Sequence, residues 1–242
     1  MELHLFHALI ALHIVTGSIG AIAFWVPVLG RKGGEAHRRW GRIFTICMLA
    51  TGSCAIAMSL LTLYEPIGTH PHLEGRFDTL FIRAIFGWLM LHMGILTVNL
   101  AWYGWECVRN RRNHAANARP LNLSLQWAVL AAAINCAIQG SIAGQHLMLG
   151  LAVVGVATGV TNLRFIRRSR PGPLAWQREH LKGLVGCGIS VYTAFMAFGA
   201  VRLMPELALH PGMWAIPLVV GLGMILYHWW RLGAFGRRAA AS

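Results

Sequence analysis

The sequence predicts an all-α protein, a polytopic transmembrane bundle of seven helices with its amino end outside and its carboxyl end inside. Three observations carry that expectation. The 242 residues are 56% hydrophobic and only 12% charged, against roughly 25% charged in soluble domains, so the bilayer is their natural solvent. The apolar residues gather into runs long enough to cross hydrocarbon. The basic residues gather between those runs, on alternate sides.

The first run extends from Leu5 to about Leu29. No Lys or Arg precedes it, so the basic start of a secretory signal is missing; Ala21-Ile22-Ala23 mimics a cleavage site, but a retained helix is expected. The basic stretch Arg31–Arg42 follows and reads as a loop, with Gly33-Gly34 as its turn. The second run covers 41–63, and Pro66, Gly68, Pro71 and Gly75 mark the next stretch as a loop. The third covers 79–105 and gives way to a basic segment closed by Pro120.

Residues 121–163 contain no Asp, Glu, Lys or Arg. One helix of that length would be about twice the thickness of the hydrocarbon core, so two are expected, 121–140 and 143–163, with the turn near Gln139–Gln145. The sixth run covers 182–203 and the seventh 213–232. The segments after runs one, three, five and seven then hold 18 of the 21 Lys and Arg residues, and five of the eight acidic residues fall on the opposite side. This alternation satisfies the positive-inside rule, and a different helix count would scramble it. It also accounts for the net charge of +13 without nucleic acid, since no basic stretch is interleaved with aromatics as on a nucleic-acid-binding face. The five cysteines show no secreted disulfide framework.

Polar groups inside hydrocarbon are costly and mark candidate function. His13 shares a helix face with Thr16, Gly17 and Gly20, where another helix can approach closely. His92, Asn99 and Glu106 recur at seven-residue intervals, and Pro217, Gly221 and His228 align on the last helix. Measured along the helices at 1.5 Å per residue, His13 lies ~12 Å, His92 ~20 Å and His228 ~22 Å below the outer ends. Bis-imidazole ligation of a haem iron needs two histidines at similar depth. His92 with His228 suits a haem b best, and His13 with His92 is the other pairing.

Two further groups stand at the surfaces. His70, His72 and Glu74 in the outer loop offer imidazole and carboxylate ligands to copper, zinc or iron. Lys32, His37, Arg38, Arg39 and Arg42, with His180, form an inner anion site for a lipid phosphate, a haem propionate or an acidic partner segment. No nucleophile elbow, phosphate-binding glycine loop or His-Glu-x-x-His motif is present.

His13-x-x-x-Gly17, the Lys32-Gly-Gly-x-x-His37-Arg-Arg-x-Gly41-Arg42 stretch and Glu179-His180 together resemble an uncharacterised family of bacterial integral-membrane proteins, a domain of unknown function. Thr193-Ala-Phe195, Pro205 and Pro217-x-x-x-Gly221 resemble it as well. The resemblance implies a multi-pass protein of the bacterial inner membrane and imports no activity.

Two functions are expected from these residues. One is membrane electron transfer through a buried histidine-ligated haem b, a quinone, or both, with quinone or an electron-transfer protein as partner beside the lipid bilayer. The other is a non-enzymatic transporter, sensor or assembly subunit whose histidines serve packing or proton relay.

Overall fold

The computed structural model describes residues 2–199 and 210–233 and is built from seven long helices, with no strand among the described residues. They are α1 (Glu2–Leu29), α2 (Glu35–Tyr64), α3 (Thr79–Arg109), α4 (Pro120–Ile142), α5 (His146–Ile166), α6 (Ala175–Gly199) and α7 (Pro211–Arg231). All seven are long and apolar enough to cross a membrane. Large apolar side chains point away from the bundle: Ile22 is 70% exposed, Val153 68% and Val219 66%. No water-soluble surface tolerates such a belt, whereas lipid tails match it. The expected end of the sixth run at 200–203, Arg202, Pro205, Glu206 and the Arg237-Arg238 pair lie outside the described residues.

Several helices outrun the apolar stretches that announce them. The second begins at Glu35 rather than 41, so His37, Arg38 and Arg39 stand on its first turns and not in a loop. The sixth begins at Ala175, seven residues before 182, and carries Glu179 and His180 within it. Hydropathy marks only the hydrocarbon portion of a helix; charged residues continue it into the headgroup zone, where their side chains reach water.

Helix ends follow local chemistry. Asp78 caps α3, its carboxylate accepting from the Phe81 amide at 2.6 Å. Pro120 and Pro211 occupy the first positions of α4 and α7, where a missing N–H costs nothing. The tight α4–α5 turn needs Gly144 at φ 65°, with the Gln145 amide donating back to the Gly140 carbonyl at 2.8 Å. Gly33, at φ 75°, plays the corresponding part between α1 and α2.

α3 is the central post, packed by α2 and α6 and, on its other side, by the α4–α5 hairpin. α1 lies against α2, and α7 against α6. On the α4 surface the buried face is Asn122, Gln126, Val129, Ala133, Cys136 and Gly140. Two π-helical stretches, Arg83–Leu89 in α3 and Phe195–Gly199 in α6, interrupt the regular pitch. One end of the bundle carries the 30–34, 110–119 and 167–174 connections and the close of α7; it is the basic end. The opposite end carries residues 65–78, the α4–α5 turn and His210.

Candidate functional site

At the basic end, α1, α2, α3 and α6 converge on two histidines. His37, half-buried on the first turn of α2, donates from Nδ1 to the Pro27 carbonyl at 3.2 Å. His180, on the second turn of α6, donates from Nδ1 to the Gly104 carbonyl at 2.9 Å. A carbonyl oxygen can only accept, so in both rings the proton sits on Nδ1 and Nε2 is the nitrogen left for a ligand. The two ring centres are 6.5 Å apart, with their planes inclined by 64°. Such a backbone-carbonyl partner on the far nitrogen is the usual support of a metal-bound histidine.

His180 reaches Gly104 because α3 and α6 touch through glycine. A Cβ built on Gly183 would meet the Gly104 Cα at 2.8 Å. One helical position before His180, the Glu179 carboxylate accepts from the fully buried Tyr103 hydroxyl at 2.6 Å and pairs with Lys182. The Lys182 ammonium also lies 5.3 Å from the centre of the Tyr103 ring, a cation–π distance. This carboxylate–phenol–ammonium group fixes the start of α6, and Tyr103 was not singled out by the sequence. A lone tyrosine in an aromatic-rich run carries no signal of its partner.

The basic loop divides into used and free cations. Lys32 donates to the Val28 and Pro27 carbonyls, closing the carboxyl end of α1, and partial burial there lowers its pKa. Arg38 donates to the Gly33 carbonyl at 2.9 Å. Arg39 and Arg42 are exposed and have no partner among the described residues. Of the expected inner anion site, these two are the cations available to an external anion.

The other expected site residues are placed apart. His13 donates to the Thr51 carbonyl at 3.0 Å, and Thr16 bonds Thr51 Oγ1 at 2.8 Å, so the small-residue face of α1 docks on α2. His92 is fully buried between α3 and α5, its Nε2 3.2 Å from the Leu151 carbonyl and its ring against Gly155. His228 stacks edge-on with Tyr227 at 5.3 Å, within electrostatic reach of Lys32. Among the described residues no ring contact or hydrogen bond joins any two of these three. Counting depth along a helix says how far down a residue lies and nothing about which neighbour it faces.

In the connection before α3, His70 is turned inward. Its ring lies 4.4 Å from Phe86 and 5.4 Å from Phe6, and its Nδ1 is 3.0 Å from Thr69 Oγ1. His72 and Glu74 are exposed, and these three do not form a ligand cluster; among the described residues no three His, Cys, Asp or Glu side chains converge on one point. The five cysteines are all free thiols.

Comparison with protein-family models, curated proteins and solved structures returns no match at all, so the geometry alone bears on function.

Proposed function

We propose that the protein is a multi-pass subunit of the bacterial cytoplasmic membrane that carries electrons through a group bound by His37 and His180, most simply a b-type haem. The observation that supports this is the 6.5 Å separation of two imidazoles whose Nδ1 atoms are both committed to backbone carbonyls. Two neighbouring imidazoles, each with Nε2 uncommitted, would be the residues that hold such a group, and two nitrogen donors with no third would suit a metal that arrives with nitrogen donors of its own. Such a group would supply one-electron chemistry when bound; the chain supplies the ligands.

Arg39 and Arg42, exposed on the first three turns of α2, are free guanidinium groups at the same end of the bundle, on the side of the helix away from His37. The helices that carry the two histidines, α2 and α6, pack only lightly on one another. In this reading the basic end faces the cytoplasm, as the positive-inside rule requires, and a quinone or an electron-transfer protein is the redox partner.

The test is an absorbance spectrum of the purified protein from haem-replete cells, oxidised and then reduced with dithionite. A Soret band with sharp reduced α and β bands is expected, and its absence sinks the proposal. His37→Ala and His180→Ala should each abolish or broaden the reduced bands; an unchanged spectrum in both removes these two as ligands.

A further inference from the structure

The end of the bundle opposite the basic one holds only two Lys or Arg side chains among the described residues, Arg76 in the connection before α3 and Arg83 within α3. α3 is 31 residues long, roughly 46 Å, against a hydrocarbon core of about 30 Å, so about 8 Å at each end lies among headgroups. Arg83, four residues after Thr79 and roughly 6 Å from that end, falls in this zone. It has no hydrogen bond, ion pair or ring contact among the described residues. Asp78, the acidic residue nearest to it in the chain, is occupied with the Phe81 amide. The polar groups further along α3 are bonded within the bundle: the His92 ring to the Leu151 carbonyl, and Asn99 to Asn162 at 3.3 Å. A guanidinium stays charged in any protein, so Arg83 presents a charge that the chain itself does not match.

Arg83 opens on a cavity of about 430 Å³ between α2, α3 and α4, lined also by Leu63, Leu80, Ala84, Trp88 and Gln139. The volume is that of a small-ligand site, and so is the lining, apolar with a few polar groups. The π-helical stretch Arg83–Leu89 builds the α3 wall. In a regular helix, residues five apart point about 140° away from one another. Bonding from i to i+5 brings them to the same side, and Arg83 and Trp88 thereby line one cavity. On the α2 side Leu63 sits over Gly87, where an added Cβ would meet its methyl carbon at 2.5 Å. Leu80 is 48% exposed and Arg83 is exposed as well, which leaves the cavity open toward lipid.

We propose that this cavity is a binding site for one anionic phospholipid of the adjoining leaflet. Its phosphate lies on Arg83 and the Gln139 amide, and an acyl chain runs past Trp88 over Leu63, Leu80 and Ala84. A guanidinium fork matches phosphate oxygens, and Gln139, three residues before the end of α4, adds a neutral donor at the rim. Charge complementarity selects an anionic lipid over a zwitterionic one, whose ammonium would cancel the attraction to Arg83. A water-soluble anion would satisfy the guanidinium and leave the apolar wall unfilled. The site stands at the other end of the bundle from His37 and His180, so each proposal holds or fails without the other.

The full-length protein is reconstituted into phosphatidylcholine vesicles containing a small fraction of lipid brominated on its acyl chains, a contact quencher of indole fluorescence. The part of the quenching that Trp88→Phe removes reports this cavity among the ten tryptophans. In that part, brominated phosphatidylglycerol should act about fivefold more strongly than brominated phosphatidylcholine with the same chains, the effect of one basic side chain near anionic lipid. Equal quenching by the two overturns the inference. Arg83→Gln should remove the preference, while Arg112→Gln at the basic end should keep it; a preference that survives Arg83→Gln places the anion elsewhere and overturns the site. Brominated stearate at the same fraction should quench less than brominated phosphatidylglycerol. If it matches or exceeds it, the cavity belongs to free fatty acids and the phospholipid assignment falls.

Discussion

A carbonyl oxygen accepts and never donates, and that asymmetry sets the protonated nitrogen of four histidines. His13, His37 and His180 give their Nδ1 hydrogen to the backbone, and His92 gives its Nε2 hydrogen. His92 is thereby the odd one, with the opposite nitrogen free. His70 answers to a different influence. Burial between Phe6 and Phe86, and then the neighbouring His72, push its pKa down to about 4 from an ordinary value near 6.5. The unfolded segment binds a proton below about pH 6.5 while the folded one stays neutral to about pH 4, so the docked state is full-strength above that window and weakens as pH falls through it. Hydrogen-exchange protection over residues 65–78, referred to the intrinsic rate at each pH, should fall between pH 6.5 and 4 and level off below. His70→Phe should remove most of that fall, and a profile unchanged in the variant would assign the effect to other groups. What the sequence disclosed at this scale was which residues are polar in an apolar setting. His13, His92 and Asn99 stood out for that reason, and His37 and His180 for their basic setting, while Tyr103, Asn122 and Asn162 did not, because a partner on another helix leaves no mark on the chain that lacks it.

Between helices, close approach is set by what is missing. Gly183 rests against the Gly104 backbone, and Gly52 and Gly94 face one another across α2 and α3 in the same manner. Without hydrocarbon exclusion to drive them together, helices in lipid rely on this contact. Gly183→Leu should separate α3 from α6, break the His180–Gly104 and Tyr103–Glu179 bonds, and destabilise the protein by about 1–3 kcal/mol. The unfolding midpoint in detergent should fall by several degrees; an unmoved midpoint would show that α6 docks by other means. The small-residue face of α1 was legible from its spacing, and Gly17 does lie against Thr51. The buried edge of α4 was not, because it is defined by Asn122 and Gln126, polar residues that a hydrophobic criterion assigns to the surface.

For the molecule as a whole, seven apolar helices followed from composition and from the 43-residue uncharged stretch, which only a turn could divide. The count was readable because length and charge are properties of the chain itself. The expected orientation rests on charge alone and has a direct measurement. An alkaline phosphatase fused after residue 144 should be active outside the cytoplasm, and one fused after residue 170 inactive; the reverse pattern inverts the protein. Inversion would carry the His37–His180 pair to the other face.

The π-helical stretch Arg83–Leu89 has a consequence for how this chain tolerates changes in length. A π turn holds one residue more than an α turn of equal span, so a deletion there relaxes to regular helix instead of breaking it. Such a deletion would keep both the Thr79–Ile82 turn and the part of α3 from Met90 onward in register with their neighbours, whereas the same deletion in a regular α turn would rotate one side against the other by about 100°. Arg83–Leu89 is thus the portion of α3 that can lose one residue while His92 and Asn99 beyond it keep their neighbours.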